Sequence, residues 1–143
     1  MNKKRIYLAS PFFNDHEIEC VSKAETILRD KGLDVWSPRE HEDREHEVGT
    51  RSWSETIFAM DKENIDSADM MVMLYHGAYS DSGTVWECGY AFAKGIPCVV
   101  VHLNNDSNLM VHEGSFTNLK GLDALKAFDF ENPTVIPYEG DML

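Results

Sequence analysis

The chain has 143 residues, 43% hydrophobic and 27% charged, which is the size and balance of one folded domain spanning residues 1–143. Its net charge of −12, from 25 acidic and 13 basic residues, disfavours binding to nucleic-acid phosphates and to anionic lipid. No apolar stretch approaches the roughly 20 residues that span a bilayer, so the composition predicts a small-molecule partner, no nucleic acid and no membrane.

The first half of the chain alternates short apolar runs with helical spacing. In order, it predicts a strand at Arg5–Ala9, a helix at Asp15–Lys31, a strand at Leu33–Trp36, a charged loop at Arg39–Thr50 and a helix at Ser52–Ser67. Gly32 follows the first helix directly and is a favoured stop signal. The basic start Met1–Arg5 is followed by too short an apolar run for a signal peptide, so we interpret it as the approach to a first strand.

The second half opens with Met70–Tyr75, a continuously apolar run that is typical of a strand covered on both faces. It then predicts a loop at His76–Gly83, a helix at Thr84–Lys94, a strand at Ile96–Leu103, a loop at Asn104–Thr117, a helix at Leu119–Phe128 and a strand at Thr134–Tyr138. This alternation predicts an α/β domain, a mostly parallel sheet with helices on both faces. Ligands in such folds bind outside the carboxyl ends of the strands.

The cysteine pattern indicates the redox compartment. Cys20, Cys88 and Cys98 are odd in number, widely spaced and contain no C-x-x-C pair. We expect reduced thiols in a cytoplasmic protein, neither a disulfide framework nor a zinc site.

Asp61 lies on the apolar stripe of its predicted helix, four residues from both Ile57 and Ile65. An uncompensated carboxylate on a buried face costs several kcal/mol in rough terms. The pattern therefore favours a cleft-facing acid with a raised pKa. A buried Asp held by structural hydrogen bonds is the alternative.

Three more residues combine with Asp61. Thr84-x-x-Glu87 has the spacing of a capping box, but Glu87 also lies at the ligand edge, where a helix N-terminus would keep it ionised as a nucleophile. Asp81 precedes it on the same loop and alone fits a turn or a helix cap. Tyr7 is either a packed aromatic or a phenol bonded to a carboxylate. Three converging carboxylates suit glycosidic chemistry.

Longer motifs identify a family. The most specific segment is Asp81-Ser82-Gly83-Thr84-Val85-Trp86-Glu87-Cys88-Gly89-Tyr90-Ala91, and Ile6–Phe13, Met60–Asp69, Asn108–Met110 and Phe128–Pro133 accompany it in order. With these segments the chain resembles the small bacterial type of the nucleoside 2-deoxyribosyltransferase family nearly end to end. The resemblance implies a doubly wound, flavodoxin-like fold. It also implies transfer of 2-deoxyribose between nucleobases with no metal or cofactor.

The resemblance also implies roles for residues. Glu87 would attack C1′ and form a covalent deoxyribosyl ester, Tyr7 would orient it, and Asp61 and Asp81 would hold and protonate the base. Asn108 would reach the 5′-hydroxyl from a neighbouring subunit of a homo-oligomer, typically a hexamer. Further substrate contacts are expected at Phe12, Phe13, Gly83 and Met110. The partners are then deoxynucleosides, free nucleobases and other copies of the chain.

Two positions depart from the family pattern, and other functions stay open. The family's base-contacting Gln has Glu42 as its nearest counterpart, and its C-terminal Tyr corresponds to Leu143. One alternative is an N-glycosidase that hydrolyses deoxynucleosides or their 5′-monophosphates. The monophosphate enzymes have a Gly/Arg phosphate loop after the first strand, whereas Ser10–Asn14 contains no cation. The other alternative is a non-catalytic nucleotide sensor, which has no need for three carboxylates together.

Overall fold

The computed structural model describes residues 3–143, so Met1 and Asn2, at the start of the predicted domain and of its basic segment, lie outside the described residues. The strands, in chain order, are β1 (Arg5–Ala9), β2 (Asp34–Trp36), β3 (Met70–Tyr75), β4 (Cys98–His102), β5 (Asp106–Ser107), β6 (Thr117–Lys120) and β7 (Asp141–Met142). The helices are α1 (Asp15–Asp30), α2 (Arg51–Asp66), α3 (Ser82–Ala93), α4 (Leu109–Glu113) and α5 (Gly121–Ala127), with a 3-10 turn at Pro38–Glu40. Within residues 3–143, no helix is both long and apolar enough to cross a membrane.

The central sheet has five parallel strands in the order β2-β1-β3-β4-β6. This is the order of a doubly wound, flavodoxin-like sheet, and it confirms the predicted fold class. The direction of winding reverses between β1 and β3. At that point the loops after the two strands run to opposite faces of the sheet. The crevice between these loops, at the carboxyl ends of the strands, is where such folds bind ligands.

Alternation along β1 decides which residues face the site. Ile6 and Leu8 pack with α1 and α5 on one face of the sheet, whereas Tyr7 and Ala9 pack with α2 and α3 on the other. Every residue of β3 is buried, as expected for a strand covered on both faces. Tyr7 is therefore placed under the helices that carry Asp61 and Glu87.

The segment 104–128 differs from the prediction. The predicted loop 104–117 contains β5 and α4, and the start of the predicted helix 119–128 is strand β6. β6 was not predicted because its sequence is polar. The strand is stabilised by pairing with β4 and not by an apolar run. Gly121, at φ +84°, then turns the chain into α5.

The predicted strand 134–138 was also wrong. Ile136 is anchored to Thr117 and Asn118 by hydrogen bonds of 2.9 Å each, without forming a ladder. The last strand lies further on, where β7 pairs in parallel with β5. These two-residue strands form a separate small sheet beside α4.

Candidate active site

A cavity of about 590 Å³ opens at the carboxyl ends of β1 and β3. Its walls are the loop after β1, the middle of α2 and the first turns of α3. Asp61, Asp81 and Glu87 all line it, so the three carboxylates singled out from the sequence do share one cavity. The volume is within the range of about 300–1,000 Å³ that small-molecule sites occupy.

Helix α3 begins two residues earlier than predicted, and this changes the position of Glu87 within the helix. Asp81 is the N-cap, and its Oδ2 accepts hydrogen bonds from the Thr84 amide at 2.8 Å and the Thr84 hydroxyl at 2.6 Å. Glu87 therefore lies in the second turn of α3, beyond the N3 position. The capping-box interpretation of Glu87 was wrong because Thr84 is not the cap.

The Glu87 carboxylate is held from below by a phenol. Tyr7, with no exposed surface, donates its hydroxyl hydrogen bond to Glu87 Oε2. The pKa of Glu87 is raised to about 8: burial raises it most, the Tyr7 hydrogen bond lowers it, and the charges of Asp61 and Asp81 contribute to the rise. Burial also raises the pKa of Tyr7, so the phenol keeps its proton. The expectation that the helix N-terminus keeps Glu87 ionised fails, because the dipole effect fades after the first turn and desolvation dominates.

Asp61 is a half-buried acid without a full set of partners. Its Oδ1 is buried and has no hydrogen-bond partner among residues 3–143. Desolvation raises the pKa of Asp61 to about 6, as the apolar stripe predicted. A buried acceptor left unpaired is unfavourable, which disfavours the structural alternative and leaves this oxygen open to an incoming donor.

Phe12, Phe13 and Gly83 complete the predicted lining. The two phenylalanine rings stack with centroids 6.2 Å apart, and their exposed fractions are 42% and 80%. Both line the cavity, as does Gly83. A Cβ at Gly83 would lie 3.3 Å from Asp81 Oδ2, so glycine leaves room for the capping carboxylate. Aromatic faces beside carboxylates can hold a flat, polar ring.

Asn108 and Met110 do not line this cavity in their own chain. Asn108 caps α4, its side-chain oxygen accepting from the Met110 amide at 2.9 Å. Met110 is 74% exposed and borders a different groove of about 430 Å³ beside Phe92. Their predicted contribution from a neighbouring subunit stays a prediction.

Glu42 and Leu143 also lie outside this candidate catalytic cavity. Glu42 lines an adjoining cavity of about 330 Å³ that shares Asp61 with the first. Leu143 binds the segment that carries Asn108, donating its N–H to the Ser107 carbonyl at 2.9 Å and accepting from the Leu109 amide at 2.8 Å.

An aromatic stack behind Tyr7 was not predicted from the sequence. Trp36 lies on Tyr7 with ring centroids 5.4 Å apart, and His41 lies on Trp36 at 4.5 Å. Trp36 ends β2 next to β1, in register with Tyr7, and strand pairing was the signal that could have revealed it. His41, in an irregular loop, left no signal. Further lining residues that were missed are Ile57, Phe58, Lys62 and Trp86.

The cavity is acidic and apolar, with little positive charge. Among its described lining residues the single Lys or Arg is Lys62, whose ammonium is bound to Asp66 at 3.0 Å. Within residues 3–143, no group of three or more His, Cys, Asp or Glu side chains is arranged to hold a metal ion. An ionisable carboxylate, a phenol that orients it and a neighbouring acid of raised pKa can together cleave a glycosidic bond.

Known proteins share this arrangement of elements. The profile of the family described as nucleoside 2-deoxyribosyltransferase matches residues 6–120. A 2-deoxyribosyltransferase from the psychrotolerant bacterium Bacillus psychrosaccharolyticus matches with a TM-score of 0.88 and 36% identity, covering 94% of this chain and 99% of that chain. That enzyme is described as a biocatalyst for the synthesis of antiviral and antitumoral nucleosides.

Two further structures are similar, and no curated protein sequence matches the chain. A conserved protein from Enterococcus faecalis V583 has a TM-score of 0.59 and 31% identity, over 70% of this chain and 64% of that chain. A CMP N-glycosidase from Clostridium botulinum has a TM-score of 0.60 over 87% of this chain and 96% of that chain, and its 18% identity shows the fold alone. The family profile and the 36% identical transferase decide the assignment: the chain belongs to the nucleoside 2-deoxyribosyltransferase family.

Proposed function

We propose that this enzyme exchanges the nucleobase of deoxynucleosides by a retaining double displacement through a deoxyribosyl ester of Glu87. The observation that carries the proposal is the hydrogen bond from the buried Tyr7 phenol to Glu87, inside a cavity that Asp61 and Asp81 also line. The bond fixes one carboxylate oxygen and leaves the other free to react. Deoxyribosyl transfer itself is the activity of the family.

In the first half-reaction a Glu87 oxygen attacks C1′ of the deoxyribose. The C1′–N bond breaks, its electron pair stays on the base, and Asp61 delivers a proton to that base as it leaves. The pKa of about 6 at Asp61 makes it a usable acid near neutral pH. Asp81 holds the base edge, with its position set by its two bonds to Thr84.

In the second half-reaction a different free base occupies the same place. Its ring nitrogen attacks C1′ on the face that the first base left, the ester bond breaks, and Glu87 recovers its carboxylate. Asp61 takes back the proton that the incoming base loses. Two inversions at C1′ give net retention, so donor and product have the same anomeric configuration.

A base-exchange assay tests the proposal directly. Incubation with thymidine and free adenine should yield deoxyadenosine and thymine in equal amounts, with no need for an added metal. Glu87→Gln should abolish the exchange. A protein that releases free deoxyribose at the same rate with and without adenine is a hydrolase instead. Binding of nucleosides without turnover would favour the sensor.

Hydrolysis of deoxynucleoside 5′-monophosphates has less support. Such an enzyme needs a cation for the phosphate, and Lys62, the one lysine among the described residues that line the cavity, is already paired with Asp66. Turnover of thymidine 5′-monophosphate in preference to thymidine would contradict the proposal.

We also propose a cytoplasmic homo-oligomer, hexameric or built from dimers, in which Asn108 of one subunit binds the 5′-hydroxyl in the site of another. Leu109 and Met110, beside Asn108, are 51% and 74% exposed, which supports an interface at α4. The cytoplasmic location is supported by three free cysteines, Cys20, Cys88 and Cys98.

A further inference from the structure

A second cavity continues the catalytic cavity on the far side of Asp61. We call it the annex: a space of about 330 Å³ under the loop that follows β2. Phe12, Pro38, Ile57 and Asp61 line both the annex and the catalytic cavity. Glu87 lines the catalytic cavity but not the annex, so a base held against Asp61 has open space on the side that Glu87 does not line.

The chemistry of the annex favours a positive charge. Its one Arg or Lys among the described lining residues is Arg39, which is already bound to Glu25 by two hydrogen bonds of 2.8 and 2.5 Å. The ion pair of Glu42 with Arg44 is much weaker than that of Arg39 with Glu25. Arg44 Nε lies 3.6 Å from Glu42 Oε2, and both side chains are strongly exposed. Glu42 thus presents a carboxylate whose charge is available to a ligand.

Two other acids line the annex: Asp61, which faces the base in the proposed mechanism, and Asp43, which is already engaged. The carboxylate of Asp43 accepts from the Glu45 amide at 3.0 Å and contacts the His46 ring at 2.7 Å. Trp53 lines the annex with an aromatic ring, which favours an alkyl chain or a cation. Glu42 is therefore the group that selects the end of an entering substituent.

We propose that the annex is a substituent subsite of the base-binding site, which accepts nucleobases carrying an extended, amine-ended chain on the exocyclic nitrogen, with Glu42 as the specificity-determining residue. This inference rests on the proposed function, since it assumes that the base lies against Asp61. In it, the base stays in the catalytic cavity, the chain passes Asp61 and Ile57, and the terminal ammonium pairs with Glu42. Neutral chains of equal length enter the annex but gain no ion pair.

Calorimetric binding tests this independently of turnover. The probes are N6-(4-aminobutyl)adenine and N6-butyladenine, and the same pair built on N4 of cytosine, each compared with its parent base. In the wild-type protein the amine should bind about 3- to 5-fold more tightly than the butyl compound, as expected for one partly exposed ion pair. The preference should shrink at high salt because the pair is screened.

Three variants make the test specific. Glu42→Gln should abolish the preference for the amine, and Glu42→Lys should reverse it; the side chain is exposed, so neither change disturbs the core. Glu47→Gln, in the same loop but outside both cavities, is the matched control and should keep the wild-type preference. Base-exchange rates with the same acceptors should follow the same order.

The outcomes separate the subsite from the proposed function. Parent bases that bind and exchange, while both butyl derivatives fail to bind, would overturn the annex and leave the proposed function standing. An amine preference that survives Glu42→Gln would overturn the role of Glu42. Amine-selective binding without any base exchange would support the subsite and contradict the transferase. If neither parent base binds, both proposals fail.

Discussion

Glu87 and Asp61 are two acids of one cavity whose pKa values, about 8 and about 6, lie on either side of neutral pH. The charge of Asp61 contributes to the raised pKa of Glu87, so the two protons leave in coupled steps. Between these values the pair holds a single proton. The higher pKa of Glu87 places that proton mainly on Glu87. In the proposed mechanism the reactive arrangement is the less populated one, with the proton on Asp61 and the negative charge on Glu87.

The pH profile should follow from this single proton. For the wild-type enzyme, kcat/KM is expected to be bell-shaped, with limbs near the two pKa values of about 6 and about 8. In Asp61→Asn the alkaline limb should disappear, because only ionisation of Glu87 then matters. Transfer from ordinary deoxynucleosides should fall by roughly 10²–10⁴-fold. Donors with good leaving groups should lose less. An unchanged profile together with a shifted melting temperature would make Asp61 a structural acid.

The ionisation of Glu87 should also affect how the free energy of unfolding depends on pH. Its pKa is raised from the ordinary 4.5 to about 8 in the folded protein, so the folded state binds more protons between these pH values. The free energy of unfolding contributed by this group therefore falls as pH rises through that window, by up to about 1.4 kcal/mol per pH unit. Glu87→Gln should flatten this fall, giving a variant that gains stability over wild type as pH approaches 8. Chemical denaturation at several pH values checks it; equal slopes would contradict the burial of this acid.

At the scale of elements, the first turn of α3 combines a cap with the candidate site. Asp81 begins the helix and lines the cavity with the same carboxylate. Asn keeps the accepting oxygen and the cap but removes the charge, whereas Ala removes both.

The two substitutions should therefore separate the roles. Asp81→Ala is expected to lower the free energy of unfolding by about 1 kcal/mol, and Asp81→Asn by much less. Both should lower kcat/KM by roughly 10²-fold if Asp81 handles the base. Denaturation and steady-state kinetics on the same preparations give the two readings. An Asn variant with full activity would reduce Asp81 to a helix cap.

Much of the sheet could be predicted from the sequence, because its central strands carry their own signal. Met70–Tyr75 is apolar at every position and was predicted with its observed bounds, as was Arg5–Ala9. β6 could not be found this way, because its four residues become a strand only through pairing with β4. β5 and β7 are two residues each and are defined only by each other.

In the candidate site, too, some features could be predicted from the sequence and others could not. The role of Asp61 could be predicted because a carboxylate on the apolar stripe of a helix breaks the usual pattern, in which charged residues lie on the opposite face. The direction of the Tyr7 side chain followed from alternation along a strand. The stacking of Trp36 and His41 behind Tyr7 depends on which strands are neighbours and on an irregular loop. The raised pKa of Glu87 depends on its depth in the second turn of α3, which a motif read as a capping box conceals.

In the molecule as a whole, the segment carrying Asn108 is held on the outside of the domain. β7 pairs with β5 just before Asn108, and the Asn108 amide donates to the Tyr75 hydroxyl at 3.1 Å. Leu109 and Met110 beside it are exposed. A residue presented in this way, apart from the cavity of its own chain, suits a site completed by another chain.

Complementation tests that arrangement. Glu87→Ala and Asn108→Ala should each be nearly inactive alone. After subunit exchange, a mixture of the two should regain part of the activity, because some sites then combine an intact Glu87 with an intact Asn108. Size-exclusion chromatography should show an oligomer throughout. A fully active monomer, or no recovery after proven exchange, would end the shared-site proposal.

In the proposed mechanism, Glu87 carries the sugar between bases. Intact-mass spectrometry after a brief incubation with a deoxynucleoside and no acceptor base tests it most directly, with peptide mapping to place the adduct. We expect a mass increase of one deoxyribosyl group on the α3 peptide at Glu87, its loss on adding a free base, and no adduct in Glu87→Gln, which should remain folded. Base exchange that proceeds without an adduct, an adduct on another residue, or near-normal turnover by Glu87→Gln would contradict it.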